Sequence, residues 1–320
     1  MTVIGPLATG SLAPTDPRIT YAGFAGIDIN SDRARPVRPV SFSSGVEYAA
    51  PEARVMLRTA SPTIVFRIIN NGLMANTTIV NRIFSVLVNG DLYQDYTPPT
   101  SGAYDLTLDF GSVQVRKVEL VFPHAAGYDL LGVTLDPIYA TLPFLPKKKI
   151  VLAGDSITQG AFASAARQSW AFLLGQAENA EIINMGYTGG VASTLGNGSW
   201  ANSMNPDVIV ALLGHNDFEA QNALTTFKSA VDTLLTTWLS GTTAAIYMVT
   251  PVWSNVSKSI PISSYRTAIG EVVSAKGSSR VTLIDGLSLA TGSTSFFPDG
   301  IHPNDSGSIA IASALAPLVN

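Results

Sequence analysis

Asp299 and His302 near the C-terminus, together with Ser156 far upstream, have the side chains that serine nucleophile chemistry needs. A carboxylate can orient an imidazole, and the imidazole can take the proton of a serine hydroxyl as it attacks an ester carbonyl. The chain has only 3 histidines, so few other arrangements could supply the base. These residue types predict ester hydrolysis or acyl transfer, provided that the fold brings them together.

Two of these residues, Ser156 and Asp299, also have a simpler explanation when each is taken alone. A serine after Gly154-Asp155 is more often a turn residue or the N-terminal cap of a helix. Asp299 could simply cap the turn before Pro303, as Asp often does near proline. The chemical interpretation therefore depends on the elements that position these residues.

The composition argues against several other classes of function. Charged residues make up 13% of the 320 residues, and the formal net charge is −4 without any basic block. We therefore expect no nucleic-acid partner and no attraction to anionic membrane surfaces. Because the chain has no cysteine, no His-x-x-x-His pair and no carboxylate-rich calcium loop, we predict no metal site and no cofactor.

The first residues of the printed sequence lack the basic and apolar regions of an export signal. No apolar run reaches the roughly 20 residues that are needed to span a bilayer. We therefore expect a soluble protein, cytoplasmic by default. The low charge and the many Thr, Ser and Asn residues would also suit a secreted protein whose signal had been removed.

Between about residues 16 and 140, short runs of alternating apolar and polar residues are separated by Gly, Pro and Asn. Runs 82–88 and 92–96 meet across Asn89-Gly90-Asp91, which is a hairpin signal. Runs 63–69, 104–110 and 113–122 are further strand candidates. The pattern predicts an antiparallel β-sandwich or jelly roll over residues 1–145.

The pattern changes near residue 145, where two prolines, Pro143 and Pro146, and the basic triplet Lys147-Lys148-Lys149 suit a linker or the entry to a new domain. Beyond it, apolar strand candidates alternate with helical patterns. We predict a doubly wound α/β domain with a parallel sheet over residues 146–320, in which functional loops lie at the carboxyl ends of the strands. The predicted strands are 150–153, 181–184, 208–213, 244–250 and 281–284.

Four blocks of residues fall on loops that should open on the edge of the sheet formed by the carboxyl ends of its strands. They are Gly154-Asp155-Ser156, Gly189, Asn216 within a Gly-x-Asn-Asp block, and Asp299-x-x-His302. In this order they resemble the SGNH (GDSL-like) hydrolase superfamily over about residues 149–320. The resemblance implies a flavodoxin-like catalytic domain in which Ser156 is the nucleophile, His302 the general base and Asp299 its orienting carboxylate. It also implies an oxyanion hole that is formed by the backbone N–H groups of Ser156 and Gly189 and by the side-chain amide of Asn216.

Three further residues are candidates for substrate contacts. Trp253 follows the fourth predicted strand, where its indole face would suit a sugar ring or an acyl group, with core packing as the equal alternative. Trp200, in a loop rich in Gly, Asn and Ser, could form part of a rim. His215, inside the Gly-x-Asn-Asp block, could be a pocket wall or a structural residue. The remaining histidine, His124, is not such a candidate and is expected to be an ordinary surface or loop histidine.

A β-sandwich ahead of an SGNH domain resembles the two-domain carbohydrate esterases, particularly carbohydrate esterase family 2. The run 16–24 is similar to the first strand of their jelly roll, although Phe24 stands where family members often have Arg. The resemblance implies a serine esterase that removes acetyl groups from a carbohydrate through an acyl-Ser156 intermediate, so the expected partner is an acetylated carbohydrate or another small ester. The alternatives are a lipase-like or aryl-ester hydrolase or acyltransferase, and a non-catalytic carbohydrate-binding protein.

Overall fold

The computed structural model describes residues 10–37, 50–70, 82–124, 126–136, 141–142 and 148–319. The chain divides into two compact units, Met1–Leu145 and Pro146–Asn320. Residues 143–147 of the expected linker lie outside the described residues, whereas Lys148 and Lys149 already form the start of a sheet strand. Lys148 fits there because its ammonium group pairs with Glu178 at 2.8 Å.

Twelve described strands belong to the first unit. Strands β1 to β12 are, in chain order, Ser11–Leu12, Thr20–Ala22, Ile27–Ile29, Ala34–Pro36, Arg54–Thr59, Thr63–Asn70, Phe84–Val88, Asp91–Tyr96, Ala103–Asp109, Arg116–Val121, Tyr128–Leu135 and Thr141–Leu142. They form two antiparallel sheets: β3-β4-β11-β6-β9 with β1 beside β11, and β12-β5-β10-β7-β8 with β2 beside β5. The predicted antiparallel β-architecture is confirmed.

Alternation of apolar residues explains how the two sheets share one core. In β6, Ile64, Phe66 and Ile68 are buried, and they cluster with Val55 and Leu57 from β5 of the other sheet. The predicted hairpin is also present, because β7 and β8 pair across Asn89-Gly90. Both turn residues have positive φ, 56° and 98°, as a type I′ turn requires.

The run 16–24 contains a shorter strand than we expected. Only Thr20–Ala22 is extended, because Asp16 and Arg18 form a local turn in which the Asp16 carboxylate accepts the Arg18 backbone N–H at 3.0 Å. Phe24 packs edge to face against Phe122, with ring centroids 5.4 Å apart.

His124 lies in a loop, one of the two expected positions, but it is buried in the first unit, so an exposed surface position is wrong. The residue follows β10 closely, and only 1% of its surface is exposed. Burial lowers its pKa to about 4, because desolvation disfavours the charged imidazolium. His124 is therefore neutral in the folded protein at neutral pH.

Acid should destabilise the protein through His124. An unfolded chain binds this proton near pH 6.5, about the ordinary histidine value, so below that pH the unfolded state holds more protons and folding stability falls. The loss should be complete below the folded pKa of about 4 and amount to about 3 kcal/mol of unfolding free energy. Urea titrations between these pH values should show a smaller loss for His124→Gln than for the wild type, and equal losses would contradict this account.

The second unit contains strands β13 to β17, which are Lys148–Gly154, Ala180–Gly186, Val208–Leu212, Ala245–Val249 and Val281–Ile284. Its helices α1 to α7 are Ser156–Gln159, Trp170–Ala177, Ser199–Ser203, His215–Glu219, Leu224–Gly241, Ile262–Lys276 and Asp305–Leu315. Short 3₁₀ helices cover Ala166–Gln168, Ala192–Leu195, Gly286–Ser288 and Ala316–Leu318. Among the described residues, no helix has both the length and the hydropathy of a membrane span.

The sheet of the second unit is parallel and has the order β14-β13-β15-β16-β17. Counted from β13, this is the 2-1-3-4-5 order of flavodoxin-like folds, so the predicted doubly wound domain is confirmed. Every residue of β15 is buried, which explains why its sequence is continuously apolar rather than alternating. Helix α5 buries one apolar stripe: Phe227, Val231, Leu234, Leu235 and Trp238.

Candidate active site

The carboxyl ends of β14, β13 and β15 lie side by side. In the parallel register Gly154 at the end of β13 pairs with Gly186 of β14 and with Leu212 of β15. Ser156 begins α1 two residues after β13, Gly189 follows β14, and Asn216 lies in the first turn of α4 after β15. The three loops therefore open on one edge of the sheet.

The turn from β13 into α1 leaves little freedom around Ser156. Asp155 caps α1, because its Oδ1 accepts the backbone N–H of Ile157 at 2.9 Å. A Cβ atom on Gly154 would lie 2.0 Å from Thr158 Oγ1 and 2.7 Å from the Leu212 carbonyl oxygen, so the position requires glycine. Because of this cap and this close packing, Ser156 is held on a tightly packed turn. Burial in the same turn raises the pKa of the Asp155 carboxyl group to about 7.

Two short hydrogen bonds join Ser156, His302 and Asp299. Ser156 Oγ lies 2.8 Å from His302 Nε2, and His302 Nδ1 lies 2.7 Å from Asp299 Oδ2. The other carboxylate oxygen of Asp299 accepts the backbone N–H groups of Ile301 at 2.9 Å and of His302 at 2.8 Å. The structure therefore brings together the three residues that the sequence motifs singled out.

The proton positions in this chain of bonds follow from the charge of Asp299. Desolvation acts to raise the pKa of Asp299, but the hydrogen bonds from the His302 side chain and from the two backbone N–H groups outweigh it, so the pKa is lowered. An ionised carboxylate can only accept, so His302 Nδ1 must carry the proton that it shares with Asp299. In the neutral imidazole, Nε2 is then the acceptor for the Ser156 hydroxyl.

The loops that contain Gly189 and Asn216 are directly connected. Asn216 Nδ2 donates to the Gly190 carbonyl at 3.2 Å. Gly189 has a φ of 76°, and the preceding Thr188 is fixed because Gln159 Oε1 accepts its N–H at 2.8 Å and its hydroxyl at 2.7 Å. A side-chain amide has two N–H groups, so Asn216 can hold Gly190 and still offer a second donor.

His215 begins α4, immediately before Asn216, and only 2% of its surface is exposed. Burial lowers its pKa to about 4, although Glu219, 3.9 Å from Nε2, acts to raise it. The charges of His302 and Asp299 also act on its titration. His215 is therefore a neutral, interior neighbour of these residues.

The two candidate tryptophans differ in position. Trp253 is half-buried, and its ring packs beside Phe297 with centroids 5.6 Å apart, so it contacts the core and keeps some exposed surface. Trp200 lies in α3 with 6% exposure, and its indole N–H donates to the Leu195 carbonyl at 2.9 Å. Trp200 therefore packs in the interior rather than forming the expected rim, because both its ring and its N–H have partners inside the domain.

Phe162 lies at the site although no sequence pattern pointed to it. Its ring stacks on the imidazole of His302 with centroids 5.1 Å apart and an angle of 5° between the planes. The backbone φ of Phe162 is 71°, a left-handed value. The sequence Ala161-Phe162-Ala163 has no glycine or asparagine to signal such a residue.

Comparisons with known proteins agree with this architecture. Residues 152–308 match the GDSL-like Lipase/Acylhydrolase family. A search of curated proteins finds no sequence match.

Three solved structures illustrate the similarity of fold. The salicylyl-acyltransferase SsfX3 from a tetracycline biosynthetic pathway has a TM-score of 0.82 and 20% identity, covering 95% of this chain and 94% of that one. A family two carbohydrate esterase from Cellvibrio japonicus has a TM-score of 0.76 and 19% identity, covering 97% of each chain. The acetyl xylan esterase Est2A from the rumen bacterium Butyrivibrio proteoclasticus has a TM-score of 0.64 and 16% identity, covering 94% of this chain and 97% of that one.

At such identities these structures establish the fold, and the family match covers the loops that contain Ser156, Gly189, Asn216, Asp299 and His302. The SGNH resemblance seen in the sequence is confirmed, because residues 152–308 of the second unit match the GDSL-like Lipase/Acylhydrolase family.

Proposed function

We propose that the protein is a serine esterase that removes short acyl groups, above all acetyl, from a carbohydrate through an acyl-Ser156 intermediate. The observation that carries this proposal is the continuous path of hydrogen bonds from Asp299 through His302 to Ser156, with lengths of 2.7 and 2.8 Å. A neutral imidazole with Nε2 facing a serine hydroxyl is the arrangement that general-base activation of serine requires.

In the proposed reaction, Ser156 Oγ attacks the ester carbonyl carbon while His302 Nε2 takes its proton. The negative charge on the carbonyl oxygen is stabilised by the backbone N–H groups of Ser156 and Gly189 and by the Asn216 amide. When the ester C–O bond breaks, His302 returns the proton to the leaving alcohol. Water then attacks the acyl-Ser156 carbonyl with His302 again accepting a proton, and the acid is released as Ser156 regains its hydrogen.

The substrate class is supported by the similar structures rather than by the catalytic geometry. Two of them are named as carbohydrate esterases or acetyl xylan esterases, and each likeness covers more than nine-tenths of both chains. Trp253 keeps exposed surface after the fourth strand of the catalytic sheet, and we propose it as a substrate contact. His215 is proposed as a buried wall behind the oxyanion loop.

Acyl transfer to an alcohol other than water is a second candidate function. It is favoured by the likeness to the salicylyl-acyltransferase, whose TM-score of 0.82 is higher than those of the two esterases. Hydrolysis and transfer share the acyl-Ser156 step and differ in the acceptor that attacks it.

Acetate release from a panel of acetylated glycans, beside a chain-length series of p-nitrophenyl esters, tests the proposal. We expect the acetyl ester to be hydrolysed fastest and at least one acetylated glycan to release free acetate. Preference for long acyl chains would instead indicate a lipase-like enzyme. A new ester formed on an added alcohol, at the expense of free acid, would indicate a transferase.

A further inference from the structure

We propose that Phe162 is a positioning residue that holds the imidazole of His302 in line between Ser156 and Asp299. The inference rests on the proposed function only in taking His302 as the base. The rings of Phe162 and His302 are stacked with an offset: their centroids are 5.1 Å apart and their planes are 5° from parallel. This contact is separate from the two hydrogen bonds that the imidazole ring of His302 makes.

Stacking supplies a constraint that the hydrogen bonds of His302 do not. Both bonds join ring nitrogens to partners at the edges of the imidazole, Asp299 on one side and Ser156 on the other. Edge contacts fix where the nitrogens point, but they resist poorly a movement of the ring perpendicular to its own plane. An aromatic ring stacked on one face opposes movement of the imidazole toward it, so Phe162 adds a restraint that the hydrogen bonds lack.

The backbone of Phe162 has an unfavourable left-handed conformation, so the placement of its ring is maintained at a cost in conformational energy. The Ala163 N–H donates to the Gly160 carbonyl at 3.1 Å, which makes Phe162 the third residue of a four-residue turn. With a φ of 71° it occupies a position that glycine or asparagine usually fills. Its side chain is also 53% exposed, so core burial does not explain the choice of phenylalanine. Strained residues of this kind are concentrated at functional sites.

The turn that presents Phe162 is attached to both halves of the site. At one end, the Ala161 N–H donates to the Ser156 carbonyl at 3.0 Å. At the other end, Ser164 donates its N–H and its hydroxyl to the two carboxylate oxygens of Asp305, at 2.7 and 2.6 Å. Asp305 begins α7, three residues after His302. The position of Phe162 is thus fixed relative both to the loop that contains Ser156 and to the loop that contains His302.

Replacement of Phe162 tests this role. We expect Phe162→Gly and Phe162→Ala to lower kcat for p-nitrophenyl acetate by about 10- to 100-fold, because small displacements of a catalytic group have effects of this size. KM should stay within about twofold, since uniform substrate binding is not removed. Phe162→Tyr should retain the stack and nearly the full kcat.

Two controls separate positioning from folding. Glycine relieves the left-handed backbone, so the Tm of Phe162→Gly should be no lower than that of the wild type while its kcat is still reduced. Ile309→Ala removes another apolar side chain, 50% exposed on α7, and should leave kcat unchanged. Full kcat in Phe162→Gly would overturn the proposal, and so would a raised KM with unchanged kcat, which would make Phe162 a substrate contact.

A proton NMR measurement tests the same role without any activity. The His302 Nδ1–H that is shared with Asp299 should give a low-field resonance in the wild type and in Phe162→Tyr, and it should broaden or disappear in Phe162→Gly. An unchanged resonance in Phe162→Gly would overturn the proposal. If the wild type hydrolyses no ester and is not labelled by a fluorophosphonate, the proposed function fails, and this resonance still decides whether Phe162 holds the imidazole.

Discussion

Replacing Ser156 with alanine should lower the turnover of p-nitrophenyl acetate by up to about 10⁶-fold, as loss of the nucleophile does in other serine hydrolases. In the proposed mechanism the Ser156 hydroxyl oxygen is the atom that bonds to the acyl carbon. Neither the cap that Asp155 places on α1 nor the close packing of Gly154 involves that hydroxyl, so the variant should fold normally. Kinetics of both proteins and a thermal melt of each provide the measurement.

Covalent labelling gives a second readout of the same substitution. A fluorophosphonate should label the wild type at Ser156 and should leave Ser156→Ala unlabelled. Ser240→Ala, an exposed serine on α5, serves as the matched control and should be labelled like the wild type. Substantial turnover by Ser156→Ala would disprove the nucleophile assignment, and an unlabelled, inactive wild type would favour the non-catalytic carbohydrate-binding alternative.

Regular alternation and continuous apolar runs made most of the fold predictable. The β7–β8 hairpin was visible because Asn89-Gly90 is a turn sequence, and β15 because it is apolar throughout. Strand β11 has no clear sequence signal, since a register shift between Leu130 and Gly132 interrupts its period-two pattern. Strand β5 lacks the alternation of a half-buried strand for a different reason, because Val55, Met56 and Leu57 are buried in succession.

Burial was the property that local composition failed to predict. Trp200 stands in a sequence rich in Gly, Asn and Ser, yet it belongs to helix α3 and its side chain is buried. His124 follows a proline, yet only 1% of its surface is exposed. The stack of Phe162 on His302 joins residues 140 positions apart through one left-handed turn, and neither periodicity nor a motif encodes it. By contrast, the proximity of Ser156 and His302 was predictable, because loops at the carboxyl ends of parallel strands share one edge.

Asp299→Asn should lower kcat by about 10⁴-fold, the effect of the equivalent change in another Ser-His-Asp enzyme. The reason lies in the two oxygens of Asp299. Oδ1 accepts two backbone N–H groups, from Ile301 and His302, so the amide oxygen of an asparagine must take that place. The amide NH₂ would then face His302 Nδ1, which would have to accept, and the ring proton would move to Nε2.

A proton on Nε2 removes the acceptor for the Ser156 hydroxyl while the shape of the site is preserved. The loss should therefore appear in kcat, with Tm and KM close to the wild-type values. Asp232→Asn, on the exposed side of α5, is the matched control and should keep full activity. If Asp299→Asn lost less than about tenfold in kcat, the carboxylate would not be setting the His302 tautomer, since holding the wrong tautomer should remove most of the general-base contribution of about 10²- to 10⁴-fold.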